Sequence, residues 1–262
     1  MGIILSREFM DKNFFIIGNW KMHKTTSEAL QFLKELSPLL KNCKVRAGIA
    51  VPFTSLEALA EKAKPTNLFI GAQNIYSKEE GAYTGEISAR MIKTSGASFV
   101  LLGHSERRQH FHENDEDVNA KVRSALQAGL QPILCIGETQ EEREKDHEAV
   151  LQRHIEKGLK NLLEKDVGKV IIAYEPVWAI GTGKTATPEV AEETHSFCRK
   201  CLSLLYGEKI AKSIPILYGG SVKPENIYSL LAKPNIDGAL VGGASLDVKK
   251  FGALLHYDKE DL

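Results

Sequence analysis

The sequence predicts an α/β fold, a closed (β/α)8 barrel of eight parallel strands surrounded by helices. Three observations predict it. Short apolar runs recur eight times along the 262 residues, and several are nearly continuous in Val, Ile and Leu, the pattern of strands buried on both faces. Segments carrying helix-start signals lie between these runs, and no linker, low-complexity run or composition shift divides the chain. A length of about 250 residues suits such a barrel. An open, doubly wound sheet shares the alternation and stays as the alternative, because periodicity does not show closure.

The chain 1–262 is read as one barrel domain, with 1–10 an N-terminal extension. The first strand is expected at Phe14–Ile17. Thr25 with Glu28 then fits a capping box, in which the two side chains satisfy orphan backbone N–H groups, and Leu30, Leu33, Leu36 and Leu40 form an apolar stripe. The second strand is Val45–Val51, followed by a second box at Thr54 and Glu57. The third is Leu68–Gly71, and the stretch Gln73–Glu86 after it is too long for a tight connection. The fourth is Ser98–Leu102, with a helix stripe of Val118, Val122, Ala125 and Gly129 behind it. The fifth is Pro132–Ile136, with a box at Thr139 and Glu142. The sixth is Val170–Tyr174; Thr187-Pro188 then sets a capping residue before a proline at the first helical position. Ile216–Tyr218 and Ala239–Val241 complete the eight.

The apolar share of 43% and charged share of 26% exclude a disordered chain, a collagen and a small disulfide scaffold. Lys and Arg number 34 against 34 Asp and Glu. That balance argues against nucleic acid as a partner but leaves room for a pocket that takes one small anion. No stretch approaches the ~18 apolar residues of a membrane-spanning helix, and Ile3-Ile4-Leu5 is too short for a secretory signal. Gly2 with Ser6 matches the spacing of a myristoylation site, read here as a chance match; Met10 is an alternative initiator. The cysteines, Cys43, Cys135, Cys198 and Cys201, are sparse, which fits a reducing cytoplasm. Cys198-x-x-Cys201, with His195 nearby, lacks a second pair for zinc and lies about three turns inside a helix rather than at its N-terminus. The plainer reading is one buried helix face of Val190, Thr194, Phe197, Cys198, Cys201 and Leu205.

Polar and glycine-rich segments fall just after strands one, four, six, seven and eight. In a barrel all of these project from one end, where active sites lie. Gly219-Gly220-Ser221 and Gly242-Gly243-Ala244-Ser245 follow strands seven and eight. Glycines let backbone N–H groups close around an anion, and these two ordinal positions are a recurrent phosphate site. Gly183-Lys184-Thr185 is not a P-loop, since the required first glycine falls on Trp178. Ser105, Ser221 and Ser245 lack the setting of a nucleophile elbow. His110 and His112 lie in a charged stretch, and no set has convincing metal spacing. Lys21, His104 and Glu175 remain, on separate strand ends beside the phosphate loops. Together they suit proton abstraction next to a carbonyl, with a carboxylate as base, an imidazole as electrophile and an ammonium facing the developing anion. This chemistry requires no metal and no cofactor.

These segments resemble the triosephosphate isomerase family. The matching stretches are Asn19-Trp20-Lys21-Met22, Gly103-His104-Ser105-Glu106-Arg107-Arg108, Ala173 to Lys184, Tyr218-Gly219-Gly220-Ser221-Val222 and Gly242-Gly243-Ala244-Ser245, in the family's order. The resemblance implies a TIM barrel that interconverts dihydroxyacetone phosphate and D-glyceraldehyde 3-phosphate through an enediolate. It implies that Glu175 moves the proton, that His104 polarises the carbonyl, that Lys21 and Asn19 contact the substrate, and that Glu106 is a supporting acid. It assigns phosphate contacts to Gly181, Ser221, Gly242 and Gly243, and a hinged lid to Pro176–Ala186. It makes 73–86 the interdigitating loop of a homodimer, with Thr84 reaching the neighbour's site. His23 departs from the family, where asparagine is common. Two other readings compete: a Schiff-base aldolase with Lys21 as nucleophile, and a catalytically silent binding protein.

Overall fold

The computed structural model describes residues 13–179 and 186–258. Its strands are β1 (Phe15–Asn19), β2 (Arg46–Val51), β3 (Phe69–Ala72), β4 (Phe99–Leu102), β5 (Gln131–Ile136), β6 (Ile171–Tyr174), β7 (Ile216–Tyr218) and β8 (Gly238–Val241). Each pairs in parallel with its sequence neighbour, and β8 pairs back onto β1 through Phe15↔Gly238 to Gly18↔Val241. The sheet is therefore closed, and the open-sheet alternative falls.

Side chains alternate across each strand. Phe15 and Ile17, Phe99 and Leu101, Ile133 and Cys135, Ile171 and Ala173, with Leu217 and Leu240, fill the barrel interior. The intervening residues, such as Ile16, Val100, Leu134, Ile172 and Tyr174, pack in a second core between barrel and helices. The predicted strands hold to within a residue except β1. It runs on through Gly18 and Asn19, which pair with Ile49 and Ala50. A glycine is needed at 18, because a Cβ there would press on Ser245 at 2.9 Å.

The helices are α1 (Thr26–Leu36), α2 (Phe53–Ala63), α3 (Ala89–Thr94), α4 (Ser105–Phe111), α5 (Asp115–Gln127), α6 (Gln140–Gly158), α7 (Glu164–Val167), α8 (Pro188–Tyr206), α9 (Glu208–Ser213), α10 (Pro224–Leu231) and α11 (Val248–Leu255). Capping boxes form at Thr25–Glu28 and Thr139–Glu142, and Thr187 caps α8 ahead of Pro188. The box expected at Thr54 does not form. Pro52 is the whole connection from β2 to α2, the helix has begun by Phe53, and Thr54 lies inside it. Caps beyond those expected include Ser88 on α3, an Asn114–Asp117 box on α5 and Asp247 on α11. Gly129 is not part of the α5 stripe; it stands after the helix in the left-handed region, φ 72°. Asp146 interrupts α6 and its carboxylate accepts the Ala149 N–H at 3.0 Å, restarting the helix.

The buried face of α8 holds Thr194, Cys198 and Cys201, but Leu202 completes it; Leu205 is 42% exposed. Burial pushes the Cys198 and Cys201 thiols up, away from the thiolate a redox or metal role needs. His110 and His112 are exposed. Among the described residues, no helix is long and apolar enough to cross a membrane. The Gly2–Ser6 match and Met10 lie outside the described residues.

Candidate active site

The carboxyl ends of the strands surround a cavity of about 790 Å³. Asn19, Lys21, His104, Glu175, Ser221, Gly242 and Gly243 line it. Glu106 stands behind, in contact with Lys21 and His104. Gly181 lies outside the described residues, as does the stretch 180–185 of the expected lid.

Glu175 is the first residue after β6. Following Ile171 and Ala173, it continues the inward-facing set, and only 2% of its surface is exposed. Both of its oxygens are engaged: Oε1 lies 2.8 Å from His104 Nε2, and Oε2 accepts the Ser105 N–H at 2.9 Å. Burial alone would raise its pKa. The His104 ring, the Ser105 N–H and the Lys21 charge outweigh that and hold the carboxyl below its ordinary value. The backbone closes in around it: a Cβ on Gly219 would meet Glu175 Cγ at 3.0 Å, and a Cβ on Gly137 would overlap the Glu175 carbonyl oxygen.

His104 caps the N-terminus of α4. Its Nδ1 accepts the Glu106 N–H at 3.2 Å, which leaves Nε2 to carry a proton toward Glu175. Burial pushes the imidazole pKa down, but the facing Glu175 carboxylate more than offsets this, and the net shift is upward.

Lys21 sits in the left-handed region at φ 52°, a conformation that costs a non-glycine residue about 1–3 kcal/mol. Its neighbours over-determine it. The Asn19 side chain accepts the Lys21 N–H at 2.9 Å, and Gln73 Nε2 donates to the Lys21 carbonyl at 2.8 Å. The ammonium is paired with Glu106 at 2.5 Å. Gly242 comes close enough that a Cβ there would lie 3.8 Å from Lys21 Cε, so the glycine loop and the cation face one space.

The sequence reading missed Gln73 and Glu138. Gln73 looked like the start of a loop, yet its amide also reaches the Ala50 carbonyl at 3.2 Å, tying β2 to the Lys21 turn. Glu138 is fully buried. One of its oxygens accepts from Tyr174 Oη at 3.0 Å, Trp178 Nε1 at 2.9 Å and Arg143 Nη1 at 2.7 Å. The Arg143 guanidinium lies 4.7 Å above the Trp178 ring. The signal available was position: Gly137-Glu138 follows strand five as the other unusual pairs follow theirs. Among the described residues, no group of three or more His, Cys, Asp or Glu side chains is arranged to hold a metal ion.

The triosephosphate isomerase family model matches residues 14–258. The triosephosphate isomerase of Clostridium botulinum (strain ATCC 19397 / Type A) is 51% identical over 243 residues, covering 92% of this chain and 98% of that protein. The triosephosphate isomerase of Geobacter metallireducens is 52% identical over 244 residues, covering 92% of this chain and 97% of that protein. The crystal structure of triosephosphate isomerase from Bartonella henselae superposes with a TM-score of 0.85 at 39% identity, covering 94% of this chain and 99% of that one.

Proposed function

The chain belongs to the triosephosphate isomerase family, an isomerase interconverting dihydroxyacetone phosphate and D-glyceraldehyde 3-phosphate through an enediolate, and we propose that Glu175 is the base that moves the proton between the two carbons. The observation that carries this is the buried Glu175 carboxylate, held ionised and aimed into the cavity beside His104 and Lys21.

The geometry supports the following roles. The carboxylate removes a proton from the carbon next to the carbonyl; the C–H electrons form the C=C bond, and the carbonyl pair moves onto oxygen. The Nε2–H of His104 donates to that oxygen, and Lys21 balances its charge. Return of the proton from Glu175 to the neighbouring carbon gives the other isomer. To reach the substrate, Glu175 must release both the Ser105 N–H and His104, so the arrangement described is a resting one. Asn19 and Glu106 hold Lys21 in place. Ser221, Gly242 and Gly243, with Gly181, take the phosphate, and Pro176–Ala186 closes over it, excluding water from the enediolate. Lys21 Nζ is engaged by Glu106, whereas a Schiff-base aldolase needs a lysine nitrogen free to attack the carbonyl.

Closure of all described strands into one barrel supports reading the chain as one domain. The sparse thiols support a cytoplasmic setting, and the exposed segment 78–86, which includes Thr84, supports a homodimer. The decisive experiment is a coupled isomerase assay of Glu175→Ala. Loss of a general base predicts that turnover falls by about 10²–10⁴-fold or more, with circular dichroism unchanged. Turnover equal to that of the wild type rejects Glu175 as the base.

A further inference from the structure

A second cavity, of about 660 Å³, lies behind Glu175 and Ser105. Its wall includes a cluster that the chemistry above does not use: buried Asp115 at the start of α5 and His154 of α6, half-buried Arg108 of α4, and exposed Arg153 of α6. Arg108 Nη1 donates to Asp115 at 2.7 Å, and Arg108 Nε donates to the Gly103 carbonyl at 2.9 Å, immediately before His104. His154 Nδ1 lies 3.4 Å from the Gly137 N–H. Gly137 is the residue on which a Cβ would overlap the Glu175 carbonyl oxygen, and the Glu175 N–H donates to Ile136 O at 2.7 Å. One cluster thus holds both loop ends, the one that carries His104 and the one against which Glu175 rests.

The groups around the imidazole decide its tautomer. Asp115 Oδ1 lies 3.8 Å from Nε2, and Arg153 Nη2 lies 3.2 Å from the same nitrogen. Arg153 is itself drawn to Asp115, its Nε 3.3 Å from Oδ2. The ring is neutral: burial, with Arg108 nearby, pushes it down to about 3. A neutral ring has one lone pair, and two donors face it, the Gly137 N–H at Nδ1 and the Arg153 guanidinium at Nε2. The Gly137 N–H is fixed by the main chain, whereas Arg153 is an exposed side chain that can turn to Asp115, so the lone pair is assigned to Nδ1.

We propose that His154 is a positioning residue for the isomerisation, accepting the Gly137 N–H at Nδ1 and so fixing the main-chain seat of Glu175 relative to His104. This rests on the reading of Glu175 as base. Neither Gly137 nor His154 lines the cavity that Ser221, Gly242 and Gly243 share, so loosening this seat acts on the reacting geometry more than on substrate capture. Small misplacements of reacting groups cost about ten- to a hundredfold.

The test compares His154→Leu with His154→Asn. Asparagine Oδ1 stands as many bonds from Cβ as Nδ1 does and can accept the same N–H; leucine cannot. Leucine is expected to lower kcat by at least about fivefold with KM within about twofold, and asparagine to restore most of kcat. A leucine kcat less than about fivefold below wild type overturns the proposal, and so does an asparagine variant no better than leucine when both melt as the wild type does. Because leucine can fail to fold, the ¹⁵N spectrum of the wild-type imidazole decides independently: Nδ1 is expected to be unprotonated and Nε2 protonated at neutral pH, and a protonated Nδ1 overturns the proposal. Glu175→Gln, assayed alongside, separates the two claims. If it keeps turnover, the base assignment fails, whereas the nitrogen spectrum and the His154 pair report only on the positioning.

Discussion

At the scale of the residue, the site is a set of groups held short of their work. Glu175 is ionised but spends both oxygens on His104 and the Ser105 N–H, and Lys21 is charged but paired to Glu106. The pH behaviour follows from the lowered carboxyl. A base must be ionised, so the acid limb of kcat/KM in the wild type falls below the ordinary carboxylate range. His104 is the largest of the neighbours that lower it; His104→Gln is therefore expected to move that limb to higher pH while cutting turnover, and a limb that stays put in a pH–rate profile contradicts the coupling. The same sign governs folding. A carboxyl depressed in the folded state adds stability above its unfolded pKa, and that stability is lost as pH falls through the folded value. Which residues would meet was legible in the chain, because Lys21, His104 and Glu175 each fall within a few residues of the end of an apolar run. Their conformations were not. The left-handed turn at Lys21 depends on Gln73, which lies 52 residues away, and no local pattern encodes a contact of that range.

At the scale of the element, local signals were read well where the chain had room to obey them. Thr139 and Glu142 follow a loop and form their box. Thr54 and Glu57 carry the same pattern, but Pro52 alone joins β2 to α2, its carbonyl accepting the Ser55 N–H at 3.0 Å, so the helix starts before the threonine can cap it. Thermal unfolding of two variants tests this difference. Thr139→Ala loses a cap and is expected to lose about 0.5–2 kcal/mol, lowering the midpoint by roughly 2–4 °C per kcal/mol. Thr54→Ala, a surface change away from any cap, is expected to stay within about 0.5 kcal/mol. Equal losses would mean that the α2 start is misread. Periodicity also misplaced Leu205 by one turn-fraction: Leu202 points inward beside Cys198, and only the packing of α8 on the barrel decides between them.

At the scale of the whole molecule, closure of the barrel gathers strand ends from eight places in the chain into one mouth, which is why the glycine loops after strands seven and eight line one cavity with Lys21 and Glu175. The loop 73–86 departs from that mouth, and its segment 78–86 is exposed, with the Tyr83 ring packed on Tyr76 at 4.6 Å. Met22, beside the Lys21 turn that Gln73 secures, is 94% exposed, and Phe111 is 64% exposed. Apolar surface of this kind fits burial by a second copy. Sedimentation is expected to give twice the chain mass, and Thr84→Arg to give a monomer of much reduced turnover; a fully active wild-type monomer would rule out the shared site. The alternation in β6 has a further consequence. Ile171 and Ala173 fill the barrel, and Glu175 is the next beat of that rhythm. The Glu175 carboxylate is thus addressed by counting in twos from the core, and the count cannot be edited. Deleting one residue within β6 would send Tyr174 into the mouth and the carboxylate out among the helices. Length changes in such a protein are confined to the connections, and the strands act as fixed rulers for its chemistry.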